Sequence, residues 1–184
     1  MRWFSSDLHA GHVNIRNLQP CRPEHFEKVY FDNWIRLVAP QDTVYFLGDL
    51  VFGSKDYRLF FADGFSRLPG HKIFVRGNHD KKRTDEYLTS CGFEEIHDPD
   101  LFLPDRRWLL SHYPLTCIDE RRVRELAFIL ADYDELGAVA NIHGHSHSAH
   151  SPDDRCVNVS VEVCDMAPIS EDEVAKRVKE KRST

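Results

Sequence analysis

The chain lacks any stretch of roughly 18 consecutive apolar residues, so no membrane-spanning helix is expected. Its opening, MRWFSSDLHAGH, lacks the apolar core of a secretory leader. The five cysteines, Cys21, Cys91, Cys117, Cys156 and Cys164, are odd in number and include no C-x-x-C pair. That argues against a disulfide framework and against a thiolate zinc site. Reduced, mostly buried thiols and a cytoplasmic location are the expectation. Basic excess is missing too: 24 Lys and Arg face 30 Asp and Glu, a formal net charge of −6. A general nucleic-acid coat needs the opposite balance. With no internal repeat, linker or low-complexity segment, 184 residues at 41% hydrophobic content read as one domain, 1–184. What the chain does have is histidine, 11 of them and dispersed, which raises metal chemistry as a prospect.

Five short apolar runs end in polar residues able to bind metal. Residues 2–6 run into Asp7 and His9, 43–47 into Gly48-Asp49, and 72–76 into Gly77-Asn78-His79-Asp80. Residues 107–110 run into Ser111-His112, and 138–142 into His143-Gly144-His145-Ser146-His147. Runs of this length, rich in β-branched and aromatic residues, predict buried strands. Apolar residues at helical spacing predict a helix over 24–38, stopped by Pro40, and Ser54 is a candidate cap for a second. A short third is expected over 84–89. A fourth is expected to open at Asp119 or Glu120, with Val123, Leu126, Ala127 and Leu130 on one face. Residues 155–163 alternate as a half-buried strand would. Ser170 and Glu173 suggest a capping box on a last helix, fraying from about residue 176. Strands alternating with helices indicate an α/β protein whose functional loops lie at the carboxyl ends of the strands.

Asp7, His9, Asp49, Asn78, His112, His145 and His147 are all nitrogen or oxygen donors placed just after strands. Residues i and i+2 of an extended strand end point the same way, so Asp7/His9 and His145/His147 are each expected to present a pair. Seven donors exceed the needs of one tetrahedral zinc and suit two divalent ions, with the Asp49 carboxylate between them.

The ordered set Asp7-x-His9, Gly48-Asp49, Gly77-Asn78-His79-Asp80, His112 and Gly144-His145-Ser146-His147 resembles the calcineurin-like metallophosphoesterase superfamily. Gly11-His12-x-Asn14 and the stretch Asn158-Val-Ser-Val-Glu162 resemble its small stand-alone bacterial and phage-type members. The resemblance implies a four-layer αββα sandwich, two mixed β-sheets flanked by helices. It implies that Asp7, His9 and His147 bind one metal, that Asn78, His112 and His145 bind the other, and that Asp49 bridges them. It places His79 at the leaving group as a proton donor or phosphate ligand, oriented by a carboxylate–imidazole hydrogen bond from Asp80 that would raise its pKa. The implied activity is hydrolysis of a small phosphoester, a nucleotide diester or monoester foremost, by a metal-bridging hydroxide. Manganese is the first expectation for the two ions, with iron, zinc, nickel or cobalt as alternatives. His12, Asn14 and Arg76 are candidate substrate contacts, and His143 is expected to support the site without ligating. Arg121, Arg122 and Arg124 could steer an anionic substrate or form a solvated helix face. Many members continue the second block to Gly-Asp-x-x-Asp; here Phe52 holds that place, so phosphoprotein specificity is not carried over. A nuclease of the same superfamily and a non-catalytic scaffold are the competing readings. The short acidic chain speaks against the first, and the intact donor set with His79 speaks against the second.

Overall fold

A computed structural model of the protein describes residues 1–116, 123–149, 151 and 153–182. Nine strands and six α-helices are placed among them, the first helix, α1, being the short Ile15–Leu18. Three parallel strands, β1 (Arg2–Ser5), β2 (Thr43–Phe46) and β3 (His71–Val75), form the centre of the first sheet. β4 (Phe93–His97) adds in parallel beside β3, and β9 (Ile169–Ser170) closes the other edge antiparallel to β1. The second sheet has the order β5 (Asp100–Leu103), β6 (Trp108–Ser111), β7 (Ala140–His143), β8 (Cys156–Asn158). There the β5–β6 pair is antiparallel and the other two pairs are parallel, so both sheets are mixed.

Strand alternation distributes the apolar side chains over three interfaces. Trp3, Val44, Phe46 and Phe74 face outward to α2 (Phe26–Leu37), α3 (Lys55–Ser66) and α4 (Asp85–Ser90), where they meet Tyr30, Trp34, Phe61, Phe65 and Leu88. Phe4, Tyr45, Leu47 and Val75, on the opposite face, pack on Trp108, Leu110, Ile142 and Val157 of the second sheet. Leu109 and Cys156 face the far side, against Ile129 and Tyr133 of α5 (Val123–Glu135). Three apolar interfaces between four layers make the expected αββα sandwich, with period-2 strands supplying both faces of each sheet.

The caps also follow the sequence. Ser54 and Thr84 accept hydrogen bonds from the amides of Tyr57 and Tyr87, and Ser170 from that of Glu173. Three local expectations are corrected. The strand over 155–163 is only β8; the chain then leaves the sheet and turns as a 3-10 helix, Val161–Val163. The last helix, α6, runs from Glu171 to Arg182 instead of fraying from 176, because Val174 and Val178 are buried between the sheets' edges. On α5 the inward residues are Leu126, as expected, with Ile129 and Tyr133, while Ala127 and Leu130 are exposed. The start of the fourth helix at Asp119 or Glu120, Cys117, Arg121 and Arg122 lie outside the described residues.

Candidate metal centre

The donors sit just beyond β1, β2, β3, β6 and β7, on one rim of the sandwich. The parallel strands all deliver their carboxyl ends there, which is why five separate blocks reach one place. Strand alternation does not aim them, however. Asp7, His9, Asp49, His145 and His147 have φ of 59, 49, 57, 65 and 49°, in the left-handed region. Each such residue costs about 1 kcal/mol or more unless its surroundings hold it there. Asp and His are among the side chains that tolerate it best.

Those surroundings are identifiable. Gly77 leaves room for Asp49: a Cβ there would collide with Asp49 Oδ1 and its amide nitrogen. Gly144 does the same for Asp7, since a Cβ would strike Ser6 Oγ and Asp7 Oδ2. Asp7 Oδ2 then accepts from Ser6 Oγ at 2.5 Å, Ser160 Oγ at 3.1 Å and the His145 amide at 2.9 Å. Asp49 Oδ1 accepts from the His79 amide at 2.9 Å. One oxygen of each carboxylate is thereby fixed by the protein, leaving the other turned into the rim.

The inward atoms approach one another closely. Asp7 Oδ1 lies 3.8 Å from His9 Nε2 and 3.8 Å from His147 Nε2. Asp49 Oδ2 is 3.5 Å from His9 Nε2 and 3.5 Å from His112 Nε2, midway between the two groups. Asn78 Oδ1 stands 3.0 Å from both His112 Nε2 and His145 Nδ1. Among the described residues, Asp7/His9/His147 and Asp7/Asp49/His112 each present donor atoms within 4.8 Å of one another.

These atoms do not satisfy each other. His112 Nδ1 lies 2.8 Å from the Leu47 carbonyl, and His147 Nδ1 lies 2.8 Å from Glu162 Oε1. With Nδ1 as the donor in each case, Nε2 carries a lone pair. In that neutral tautomer the His112 lone pair faces the Asn78 carbonyl oxygen and the His147 lone pair a carboxylate; protonated on both nitrogens, His112 instead donates to Asn78. Asp7 Oδ1 and His9 Nε2 are buried and have no hydrogen-bond partner at all. Buried acceptors facing acceptors are unfavourable unless a proton or a metal cation lies between them. Metal–donor bonds of about 2.1 Å place neighbouring donors roughly 3.0–3.5 Å apart, close to the spacings here. The residues therefore fit divalent cations held by nitrogen and oxygen.

The charge states divide: His145 is shifted toward its neutral form, and His112 and His147 toward the charged form that a bound cation would replace. Burial pushes the Asp7 carboxyl up, but His112, His9 and His147 together hold it well below the usual carboxylate range. Burial, followed by repulsion from His112, lowers His145 to about 4, keeping it a neutral ligand. His112 and His147 are shifted upward: burial opposes the shift, and Asp49 and Asp7 outweigh it at His112, Glu162 and Asp7 at His147.

The remaining expected site residues divide. His79 is at the rim, its side chain 45% exposed and its Nε2 3.9 Å from Asp49 Oδ2. Asp80 does not orient it. The Asp80 carboxylate points the other way and accepts from the amides of Asp49 at 2.5 Å and Gly77 at 3.0 Å, clamping two loops. Burial then lowers the His79 pKa, contrary to the expected rise. Arg76 is committed to structure, donating to the carbonyls of Asp80 and Arg83 and to Asp85. His12 and Asn14 line a shallow cleft of about 360 Å³ beside the rim, with Gly11, Val13, Phe52 and Gly53. Phe52 packs its ring 4.6 Å from that of His12 and 4.9 Å from that of His79. His143 is fully buried beneath the site, lowered to about 4 chiefly by burial.

Sequence reasoning overlooked the roles of Ser6, Asn158, Ser160 and Glu162. Asn158, Ser160 and Glu162 form the polar half of the alternation over 155–163, which reads as a solvent face. Instead they bond the His147 carbonyl, Asp7 Oδ2 and His147 Nδ1. The alternation was the available signal; its polar side faces the site.

Known proteins align with this arrangement. A protein of unknown function from Aquifex aeolicus, solved as a crystal structure, superposes with a TM-score of 0.80 at 35% identity, covering 96% of this chain and 98% of that one. The uncharacterized protein MJ1445 of Methanocaldococcus jannaschii is 33% identical over 192 residues, covering 96% of this chain and 90% of its own. The Gene 66 protein of Mycobacterium phage L5 is 40% identical over 164 residues, 79% of this chain and 77% of that protein. The calcineurin-like phosphoesterase family matches residues 3–149, a span that takes in every donor from Asp7 to His147. On that match the chain belongs to the calcineurin-like phosphoesterase family.

Proposed function

We propose that the protein is a two-metal phosphoesterase acting on a small phosphoester, with a nucleotide as the first candidate substrate and manganese as the first candidate metal. One observation carries the reading: Asp7 Oδ1 and His9 Nε2 are buried without a hydrogen-bond partner inside a set of nitrogen and oxygen donors within 4.8 Å of one another. Asp7, His9 and His147 would hold one ion, Asn78, His112 and His145 the other, and Asp49, 3.5 Å from a histidine of each group, would join them. When bound, such a pair supplies Lewis acidity toward phosphoryl oxygens and lowers the pKa of a coordinated water.

The chain's own residues supply the rest. Ser6, Ser160 and the His145 amide hold Asp7 with one oxygen free, so its geometry is set before any substrate arrives. Asp80 holds the Asp49 and Gly77 backbones together, fixing the loop that carries Asn78 and His79. His79 is the group placed to hold a phosphoryl oxygen or protonate the departing one. Burial keeps it neutral in the free protein, and an arriving phosphate would raise its pKa through opposite charge. Phe52 and the cleft of about 360 Å³ favour a compact substrate whose ester group lies over an aromatic surface.

The test is a phosphoester screen on protein loaded with Mn²⁺. It should include p-nitrophenyl phosphate, bis-p-nitrophenyl phosphate and 2′,3′- and 3′,5′-cyclic nucleotides. Turnover that needs added metal and disappears with chelator is the expected result. Two bound equivalents without turnover of any ester would leave a metal-binding scaffold and reject the enzyme.

A further inference from the structure

Arg22 belongs to none of the donor blocks, yet it reaches the site from two sides. Its side chain and that of Glu162, 140 residues away, are both fully buried. Arg22 Nε and Nη2 donate to Glu162 Oε1 at 2.9 and 2.5 Å. The same oxygen lies 2.8 Å from His147 Nδ1, where it fixes the ring's tautomer and its direction. On the other side Arg22 Nη1 donates to the Leu8 carbonyl and Nη2 to that of Asp7, each at 2.6 Å. The Phe26 ring lies 4.8 Å from the guanidinium carbon, so the group has no freedom to swing away.

A buried ion pair is a weak source of stability, because desolvation offsets most of the attraction. A planar fork of five donors is well suited to holding several acceptors in one fixed array. Here the acceptors belong to the Asp7–Leu8 backbone leading into His9 and, through Glu162, to His147. Those are the three members of one donor triad. Among the described residues, the hydrogen bonds of Arg22 and Glu162 reach Asp7, Leu8 and His147 and none of Asp49, Asn78, His112 and His145, so the strut serves one half of the centre.

We propose that Arg22 and Glu162 are positioning residues that hold Asp7, His9 and His147 in register, and that losing them weakens the first metal site while sparing the second. The proposal rests on the two-metal reading. A carboxylate behind a ligating histidine typically changes metal affinity by about 10–100-fold when removed.

The experiment titrates Mn²⁺ into the full chain by calorimetry and follows the electron paramagnetic resonance spectrum. Wild type is expected to take two equivalents and show a spin-coupled pair. Glu162→Ala should keep its circular dichroism spectrum, hold one equivalent with unchanged affinity, bind the other about 10–100-fold more weakly, and show an isolated six-line manganese signal at one equivalent. Glu162→Gln, whose carbonyl can still accept from both partners, should recover the coupled signal. Arg22→Lys, which cannot span both carbonyls and Glu162, should behave like Glu162→Ala. Two unchanged equivalents in Glu162→Ala and Arg22→Lys would overturn the proposal. So would a parallel loss of both equivalents with a lowered melting temperature, which marks a purely structural pair. If wild type binds fewer than two ions, the two-metal reading fails, separately from the strut.

Discussion

At the scale of single residues, two neighbours in sequence, His79 and Asp80, have separate jobs. His79 bonds the centre through its backbone amide, which donates to Asp49, and its ring stands at the rim, whereas the Asp49 carboxylate lies at the middle. Asp49→Ala should therefore lose metal, measured as equivalents per chain. His79→Ala should keep both ions and lower turnover of an alkoxide-leaving ester by about 10²–10⁴-fold, the usual range for a positioned proton donor. Unchanged turnover in His79→Ala would remove it from the chemistry. Asp80 allows a test by pH. Burial, and next the Asp49 carboxylate, push it up to about 6. In metal-free protein the folded state then binds more protons than the unfolded one between about pH 4 and 6. Its contribution to stability is thus lost as pH rises through that window and remains lost above it. Asp80→Asn keeps an oxygen able to accept from both amides and removes the charge. Its melting temperature relative to wild type should therefore improve from pH 4.5 to pH 8, by on the order of 2–3 kcal/mol in stability. Bound cations neutralise Asp49, so the gain should shrink in the loaded protein. A flat difference across pH would refute the buried charge.

At the scale of elements, the strands that carry the site were legible and the turns that aim it were not. β1, β2, β3, β6 and β7 are short runs of buried apolar side chains, so both their position and their terminal donors show in the sequence. β4, with Glu94 and Glu95 exposed, and the two-residue β9 are edge strands with too little buried surface to leave a pattern. The direction of five of the seven donors, Asp7, His9, Asp49, His145 and His147, depends on a left-handed φ that no periodicity encodes. What the sequence does show is the neighbouring glycine, whose meaning is clear only once the two loops are seen to touch. Gly77 is the sharpest case. A methyl group there meets Asp49 on both its amide and its carboxylate, so Gly77→Ala must separate the β2 and β3 loops. The expected outcome is a loss of stability of about 1–3 kcal/mol, the usual range for overpacking, together with metal affinity reduced at both proposed sites, which Asp49 would join. Normal metal binding by Gly77→Ala would show that the contact is slack.

At the scale of the whole molecule, the centre lies across the seam of the sandwich. Asp7, His9, Asp49 and Asn78 follow strands of the first sheet; His112, His145 and His147 follow strands of the second. Each donor group draws on both sheets, so each cation would tie the two sheets together at the rim. The apolar interface of Phe4, Tyr45, Trp108 and Ile142 joins the sheets beneath it, but at the rim Asp7 Oδ1 and His9 Nε2 are buried without a hydrogen-bond partner. The metal-free protein should accordingly loosen from this end. Metal that binds only the folded chain stabilises it by about 2.7 kcal/mol per site at a concentration 100 times the dissociation constant. For a chain of this size that raises the melting temperature by about 5–10 °C per ion. Hydrogen exchange should locate the effect: on removing metal, amides of residues 7–10, 48–51, 77–80 and 144–147 should lose protection. Amides of β2 and β7 deeper in the sandwich should change little. Uniform loss along all strands would mean that the ions support the entire fold, and no loss in any loop would mean that the seam is closed by the protein alone.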